Sequence, residues 1–384
     1  MRRKAPTVPS SFAPLWRPLQ SCAAPNEVKP MTRIPGCPAL AVTKSNPRLN
    51  AVAGIASMMT ALLLSFAAAA EPITLKLSFV GSEDISIYRY GIKPFVDGIN
   101  REGDGLLKID VYPNGTLVKA LAEQPQMVLE GRADIAYVVP GQTPYRFPDN
   151  ALIELPGQFR DAREGTLAYS RLIAANALRG YQEYFVIGAY TSDPSTIHSR
   201  KSIDSLAAIE GQRLRANNQI EAEVLERLGA KSTILPASQL AKAVGSGAID
   251  GVTMGPTALF DYGIGPLAKN HYLLRGGVAP LLLVMNRRTF DGLPDAAQAL
   301  IRRFSGERSA ATWIESYARS ETQALEKIKS DPRRKVIEPS PSDLETAQRV
   351  YRSLIDTWAA ESPHNRELLK MIGAELATIR SNNR

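Results

Sequence analysis

The chain is poor in the side chains that most hydrolases and redox proteins use. Its 384 residues hold two cysteines, Cys22 and Cys37, and three histidines, His198, His271 and His364. Both cysteines precede residue 70, so the rest of the chain has no disulfide, thiol nucleophile or cysteine metal ligand. The histidines stand far apart in sequence, with no His-x-x-x-His or His-Glu-x-x-His pair to hold zinc. Gly245-Ser246-Gly247 lacks the spacing of a nucleophile elbow and reads as a helix end. Gly263-x-Gly265-x-x-Ala268 contains Pro266 and has no strand–helix context, so it reads as a plain loop, not a dinucleotide site. There is no phosphate loop. The expectation is no catalytic constellation, no cofactor and no metal.

Long apolar runs are scarce too. The one that stands out, Ala51 to Ala70, is short for a membrane span, which needs about 20 apolar residues. It follows Lys44 and Arg48 and ends in Ala68-x-Ala70, the pattern of a secretory signal peptide cleaved near Ala70. Residues 1–41 are Pro-rich and longer than such a signal needs. A start assigned too far upstream is the favoured reading, with a disordered leader as the alternative. The expected product is exported and begins near Glu71.

The charge excess is equally local. Arg2, Arg3, Lys4, Arg17, Lys29, Arg33, Lys44 and Arg48, against Glu27 alone, account for seven of the chain's eight net positive charges. The remaining 314 residues are almost neutral. Nucleic-acid binding, which needs a basic face on the folded part, is therefore excluded.

From Ile73 onward, strands and helices alternate. Period-two or continuous apolar runs predict strands at Ile73–Phe79, Leu107–Tyr112, Ile135–Val139, Phe185–Tyr190, Arg213–Ala216, Ile249–Met254 and Leu281–Met285. Helical spacing predicts helices over Ile85–Asn100, Leu121–Glu130, Arg163–Ala177, Ile220–Leu228 and Ser238–Val244. Asp295–Lys329 reads as one long helix or two abutting ones bending at Gly306, about 50 Å in all. Two more helices follow, near Pro341–Ala360 and His364–Ile379. The polar segment Thr191–Pro194 is where the chain would cross from one α/β unit to a second. Arg215 ends a strand just before a helix, where α/β proteins place ligand contacts, and its guanidinium matches a carboxylate with two hydrogen bonds. On spacing alone, a surface arginine is the commoner use.

Several stretches together resemble the substrate-binding subunit of tripartite ATP-independent periplasmic (TRAP) transporters, the DctP-like family. They are Leu107-Lys-Ile-Asp-Val-Tyr-Pro-Asn-Gly-Thr-Leu117, Val128-Leu-Glu-Gly-Arg-Ala-Asp-Ile-Ala136, Glu154-Leu-Pro156 with Phe159, and Ile209-Glu-Gly-Gln-Arg-Leu-Arg215. Leu228-Gly-Ala230, Pro236, Ser238 and Gly247-Ala-Ile-Asp-Gly251 follow in family order. The resemblance implies a two-lobed α/β periplasmic solute-binding (clamshell) fold with a long helix spanning both lobes. Residues 71–190, with part of 280–384, would form one lobe and 191–279 the other. Residues 280–384 would supply the return strand, the long helix and the C-terminal helices.

The resemblance also implies an organic-acid ligand paired with Arg215, and Asn218 as a polar contact. Tyr137, Thr253, Met254 and Ser195 fall near family cleft positions, although core packing is an equal reading of Tyr137 and Met254. Gln239 and Leu240 replace the family's Glu and Tyr, and Ser195 stands where some members carry a second arginine. A monocarboxylate is thus favoured over a dicarboxylate. The implied partners are TRAP-type membrane permease subunits, and the implied location is the periplasm. A homodimer through the amphipathic stripe Leu344, Val350, Tyr351, Leu354 and Trp358 stays open beside a monomer. A secreted two-domain enzyme and a ligand-sensing protein serving a receptor are the alternative functions.

Overall fold

The computed structural model describes residues 71–382. The signal segment, its cleavage point and both cysteines lie outside the described residues. The first lobe begins with β1 (Ile73–Ser78), α1 (Lys93–Glu102), β2 (Leu107–Tyr112), α2 (Gln124–Leu129) and β3 (Ile135–Val138). Two helices, α3 (Ala151–Glu154) and α4 (Ala162–Ala174), precede β4 (Tyr184–Thr191). In β1 the alternation does what it predicts: Leu75 and Leu77 are buried, while Thr74 and Lys76 face water.

After Thr191 the chain enters a second sheet. It runs β5 (Thr196–Ser199), β6 (Arg213–Ala216), α5 (Gln219–Arg227), β7 (Lys231–Ile234) and α6 (Leu240–Ser246). It continues through β8 (Gly251–Met254), α7 (Pro256–Asp261) and β9 (Asn270–Tyr272). Then β10 (Pro280–Asn286) returns to the first sheet, antiparallel between β3 and β4. Every residue of β10 is buried, which is why it reads as an unbroken apolar run. The remaining elements are α8 (Arg287–Asp291), α9 (Asp295–Arg303), α10 (Glu307–Ser330), β11 (Lys335–Ile337), α11 (Pro341–Ala360) and α12 (Pro363–Ser381). The strand orders are β2-β1-β3-β10-β4 and β11-β9-β5-β8-β6-β7.

The two passages between the sheets lie side by side. Ser192 N donates to Ala279 O at 3.0 Å, Ser195 N to Gly277 O at 2.8 Å and Gly276 N to Ser195 O at 2.9 Å. Helix α10 bridges the lobes from outside. Near its start Trp313 and Tyr317 pack into the first lobe's core, and near its end Ile328 packs with Leu240, Val252 and Leu259 of the second. Trp313 is fully buried, stacks on Tyr190 and Tyr317, and donates from Nε1 to Thr191 O at 3.0 Å. It thereby clamps the end of β4, where the chain leaves the first sheet.

Two differences from the sequence reading have physical causes. The expected Ile85–Asn100 helix opens with a wide π turn, Ile87–Ile92, and becomes α-helical only at Lys93. Pro94 has no amide hydrogen, so the α-helix restarts where none is needed. The Asp295–Lys329 segment takes the two-helix alternative of that reading, broken at Gly306 with φ +60°, a conformation that favours glycine. Strands β5, β7 and β9, which are short and mostly polar, carry no periodic signal and are fixed by their neighbours. In the C-terminal helices Tyr351, Leu354 and Trp358 are buried in the core, whereas Leu344 is exposed.

Trp313→Ala should lower the free energy of unfolding by about 3–5 kcal/mol in urea denaturation, the usual cost of removing a buried aromatic. A loss under about 1 kcal/mol would mean that the clamp carries little of the fold.

Candidate functional site

A cleft of about 720 Å³ lies between the lobes, against the paired crossing segments. All six residues singled out from the sequence line it: Tyr137, Ser195, Arg215, Asn218, Thr253 and Met254. Tyr137 comes from β3 of the first lobe, and Arg215, Thr253 and Met254 from β6 and β8 of the second.

Arg215 is 4 % exposed. Its side chain is held by Nε donating to Leu235 O at 3.0 Å, Nη1 to Thr253 O at 3.4 Å and Nη2 to Asn217 Oδ1 at 2.9 Å. Thr253 Oγ1 donates to Arg215 O at 2.9 Å, so Thr253 fixes the arginine from both ends. Burial lowers the arginine's pKa, while the nearby Glu221 charge and Tyr262 oppose the shift. These bonds occupy one N–H of each terminal nitrogen and leave the others free. Asn217 Nδ2 is buried without a partner. The phenols of Tyr137 and Tyr262 both line the cleft, and burial raises both, that of Tyr262 to about 12. Around Arg215 the free groups are therefore mainly donors.

Two of the predicted residues are already engaged. Asn218 caps α5, its Oδ1 accepting from Glu221 N at 2.8 Å. Ser195 Oγ donates to Glu221 Oε1 at 2.6 Å, and Asn217 N donates to Oε2 at 2.6 Å. Met254 contributes its side chain to the wall and its carbonyl to His198 Nε2, 3.2 Å away.

Sequence reasoning missed the acids of the cleft. Glu154, at the end of α3, is 6 % exposed and lines the cleft. Burial, then the charge of Glu221, pushes its pKa up to about 8, with the amides of Asn218 and Asn150 pulling the other way. Its Oε1 is buried without a hydrogen-bond partner. Gly141 is what lets it fit, since a Cβ there would lie 2.1 Å from Oε1. The only sequence signal for Glu154 was its place in the Glu-Leu-Pro segment. Glu321 on α10, raised by burial to about 7, accepts from Thr257 N at 3.2 Å and so ties α10 to α7.

The structure also joins two histidines that are 73 residues apart. His198 and His271, on adjacent strands β5 and β9, place their Nδ1 atoms 2.7 Å apart, both rings fully buried. The Met254 carbonyl requires a proton on His198 Nε2, so its Nδ1 accepts from His271. Arg334 Nη1 then donates to His271 Nε2 at 3.2 Å. Burial lowers both, to about 4 and about 3, so the pair is neutral at ordinary pH. Asp250 of the Gly-Ala-Ile-Asp-Gly stretch serves the fold: its carboxylate pairs with Arg213 and Lys201, joining the second sheet's strands. Among the described residues no group of three His, Asp or Glu could hold a metal ion.

The sequence matches the family described as bacterial extracellular solute-binding protein, family 7, over residues 80–362. The chain belongs to that family. It is 25 % identical over 257 residues to the C4-dicarboxylate-binding periplasmic protein DctP of Rhodobacter capsulatus, covering 64 % of this chain and 74 % of that one. A TRAP solute-binding protein from a marine metagenome, specific for aromatic acid ligands and solved with 3-hydroxybenzoate, has the same fold. The TM-score is 0.73 at 23 % identity, covering 80 % of this chain and 99 % of the other. A TRAP solute-binding protein from Rhodoferax ferrireducens with copurified benzoate gives 0.70 at 21 % identity, over 81 % and 100 %. The family's two-lobed fold and bridging helix are those described above. Among the described residues no helix is long and apolar enough to cross a membrane.

Because Glu154 is raised above the unfolded carboxyl value of 4.5, the folded state holds its proton more tightly. The sign follows: this group's contribution to stability falls as pH rises from about 4.5 to about 8. The lowered histidines act the opposite way, below about pH 6.5. Urea denaturation at pH 5 and 8.5 separates the two through Glu154→Gln. The variant should gain at least about 1 kcal/mol on wild type as pH rises. An unchanged difference would contradict a protonated Glu154.

Proposed function

We propose that this protein captures a small organic acid in the interlobe cleft and delivers it, unchanged, to TRAP-type membrane permease subunits. The observation that carries this reading is Arg215. Desolvating a guanidinium costs free energy unless an anion meets it, and this one is buried, locked in place and flanked by unfilled donors. Among the described residues lining the cleft the cations are Arg215 and the exposed Lys119, while Glu154, Glu221 and Asp261 are acidic. That balance supports a ligand with one carboxylate. The relatives' ligands, 3-hydroxybenzoate and benzoate among them, support the same class.

Residues 71–190, together with part of 280–384, act as one lobe and residues 191–279 as the other. They close about the paired crossing segments, burying the ligand by a hinge motion. Arg215 and Asn217 bind the carboxylate, Asn218 and Ser195 hold Glu221 beside them, and Tyr137, Thr253 and Met254 shape the wall. Export by the Ala51–Ala70 signal, with cleavage near Ala70, would place this cycle in the periplasm.

Thermal unfolding against mono- and dicarboxylates, amino acids and sugars tests this. A ligand at 100 times its dissociation constant should stabilise by about 2.7 kcal/mol. The expected result is a shift with monocarboxylates that is lost in Arg215→Ala. Equal binding by wild type and variant would remove Arg215 from the site.

A further inference from the structure

Glu154 has no role in holding a carboxylate, yet it occupies the cleft beside the groups that do. It stands at the C-terminal end of α3, next to the crossing strands: a Cβ on Gly277 would lie 2.4 Å from its carbonyl oxygen. Its carboxyl is more than nine-tenths buried. Oε1 lacks a partner in hydrogen-bond geometry, with the side-chain amides of Asn218 and Asn150 its nearest polar neighbours. A buried carboxyl left open on its cleft side costs free energy, which a ligand group able to complete the hydrogen bonding recovers.

The nearby carboxylate Glu221 differs, since Ser195 Oγ and the backbone N–H of Asn217 already donate to its two oxygens. The donors around Arg215 suit an anion, whereas Glu154 suits a donor. The surfaces between them are apolar, including Phe79, Val139, Ile197 and Leu281. A second carboxylate in the ligand would meet no second buried cation there and would face the Glu221 carboxylate.

We propose that Glu154 is a specificity-determining residue that accepts a hydrogen bond from a hydroxyl on the ligand, so that the cargo is a hydroxylated monocarboxylate with an apolar skeleton. This rests on the reading of Arg215 as the carboxylate contact. The hydroxyl fills the open side of the Glu154 carboxyl while the carboxylate completes Arg215 and Asn217. Rejection of dicarboxylates follows from the same arrangement.

Calorimetric titration of the purified protein with benzoate, 2-, 3- and 4-hydroxybenzoate and succinate tests it. At least one hydroxybenzoate should bind about tenfold tighter than benzoate, the worth of one hydrogen bond to a buried carboxyl. Succinate should bind more weakly than either. Glu154→Leu should erase the hydroxyl preference and leave benzoate affinity within about threefold. Glu154→Gln, which keeps an acceptor oxygen in the same place, should retain the preference. A purely structural role for Glu154 would change benzoate and hydroxybenzoate affinities together. The proposal is overturned if no hydroxybenzoate is preferred, or if the preference survives in Glu154→Leu. Benzoate binding that depends on Arg215, with no hydroxyl preference, sinks this inference and leaves the carboxylate reading standing. No binding of any of these acids sinks both.

Discussion

A guanidinium withdrawn from water must be given hydrogen bonds and a counter-charge, and much of the second lobe is arranged around that need. Strand β6 delivers Arg215 to the cleft. The carbonyls of Leu235 and Thr253 and the amide of Asn217 hold it from three sides. Helix α5 then starts at Asn218, and its first turn brings Glu221 close enough to support the arginine's charge. What remains open is the second N–H of each terminal nitrogen of Arg215 and the unpartnered Nδ2 of Asn217. The electrostatic cost is borne within the lobe, and on the proposed reading a ligand carboxylate would return part of it.

The crossing segments and α10 set where this site can be. Two extended passages, hydrogen-bonded to each other through residues 192–195 and 276–279, carry the chain between sheets. Trp313 pins one end of the first passage, and Ile328, four turns further along α10, belongs to the other lobe's core. The two lobes are thus joined by a narrow backbone strip and by a helix packed against the start of that strip.

The fold was largely readable because its central strands are buried on both faces, and burial leaves an apolar signature in Ile135–Val138 and Pro280–Asn286. The helix end at Gly247 was readable because left-handed backbone favours glycine. The polar strands β5, β7 and β9 were not, because tertiary pairing rather than side-chain pattern defines them. In the cleft, the six expected residues do line one cavity, Arg215 among them, yet the side chains of Ser195, Asn218, Arg215 and Thr253 all bond to protein partners. Glu154 and the His198–His271 pair were invisible: their properties arise from burial and from neighbours distant in sequence. A lone glutamate in a Glu-Leu-Pro segment carries no mark of its raised pKa until the fold buries it and brings Glu221 near.

The most direct test of the account is a crystal structure of the protein with a bound monocarboxylate such as benzoate. The account predicts the carboxylate within hydrogen-bond distance of Arg215 and Asn217 Nδ2, with the lobes closed over it. A carboxylate seated elsewhere in the cleft, with Arg215 still bonded only to Leu235, Thr253 and Asn217, would contradict it.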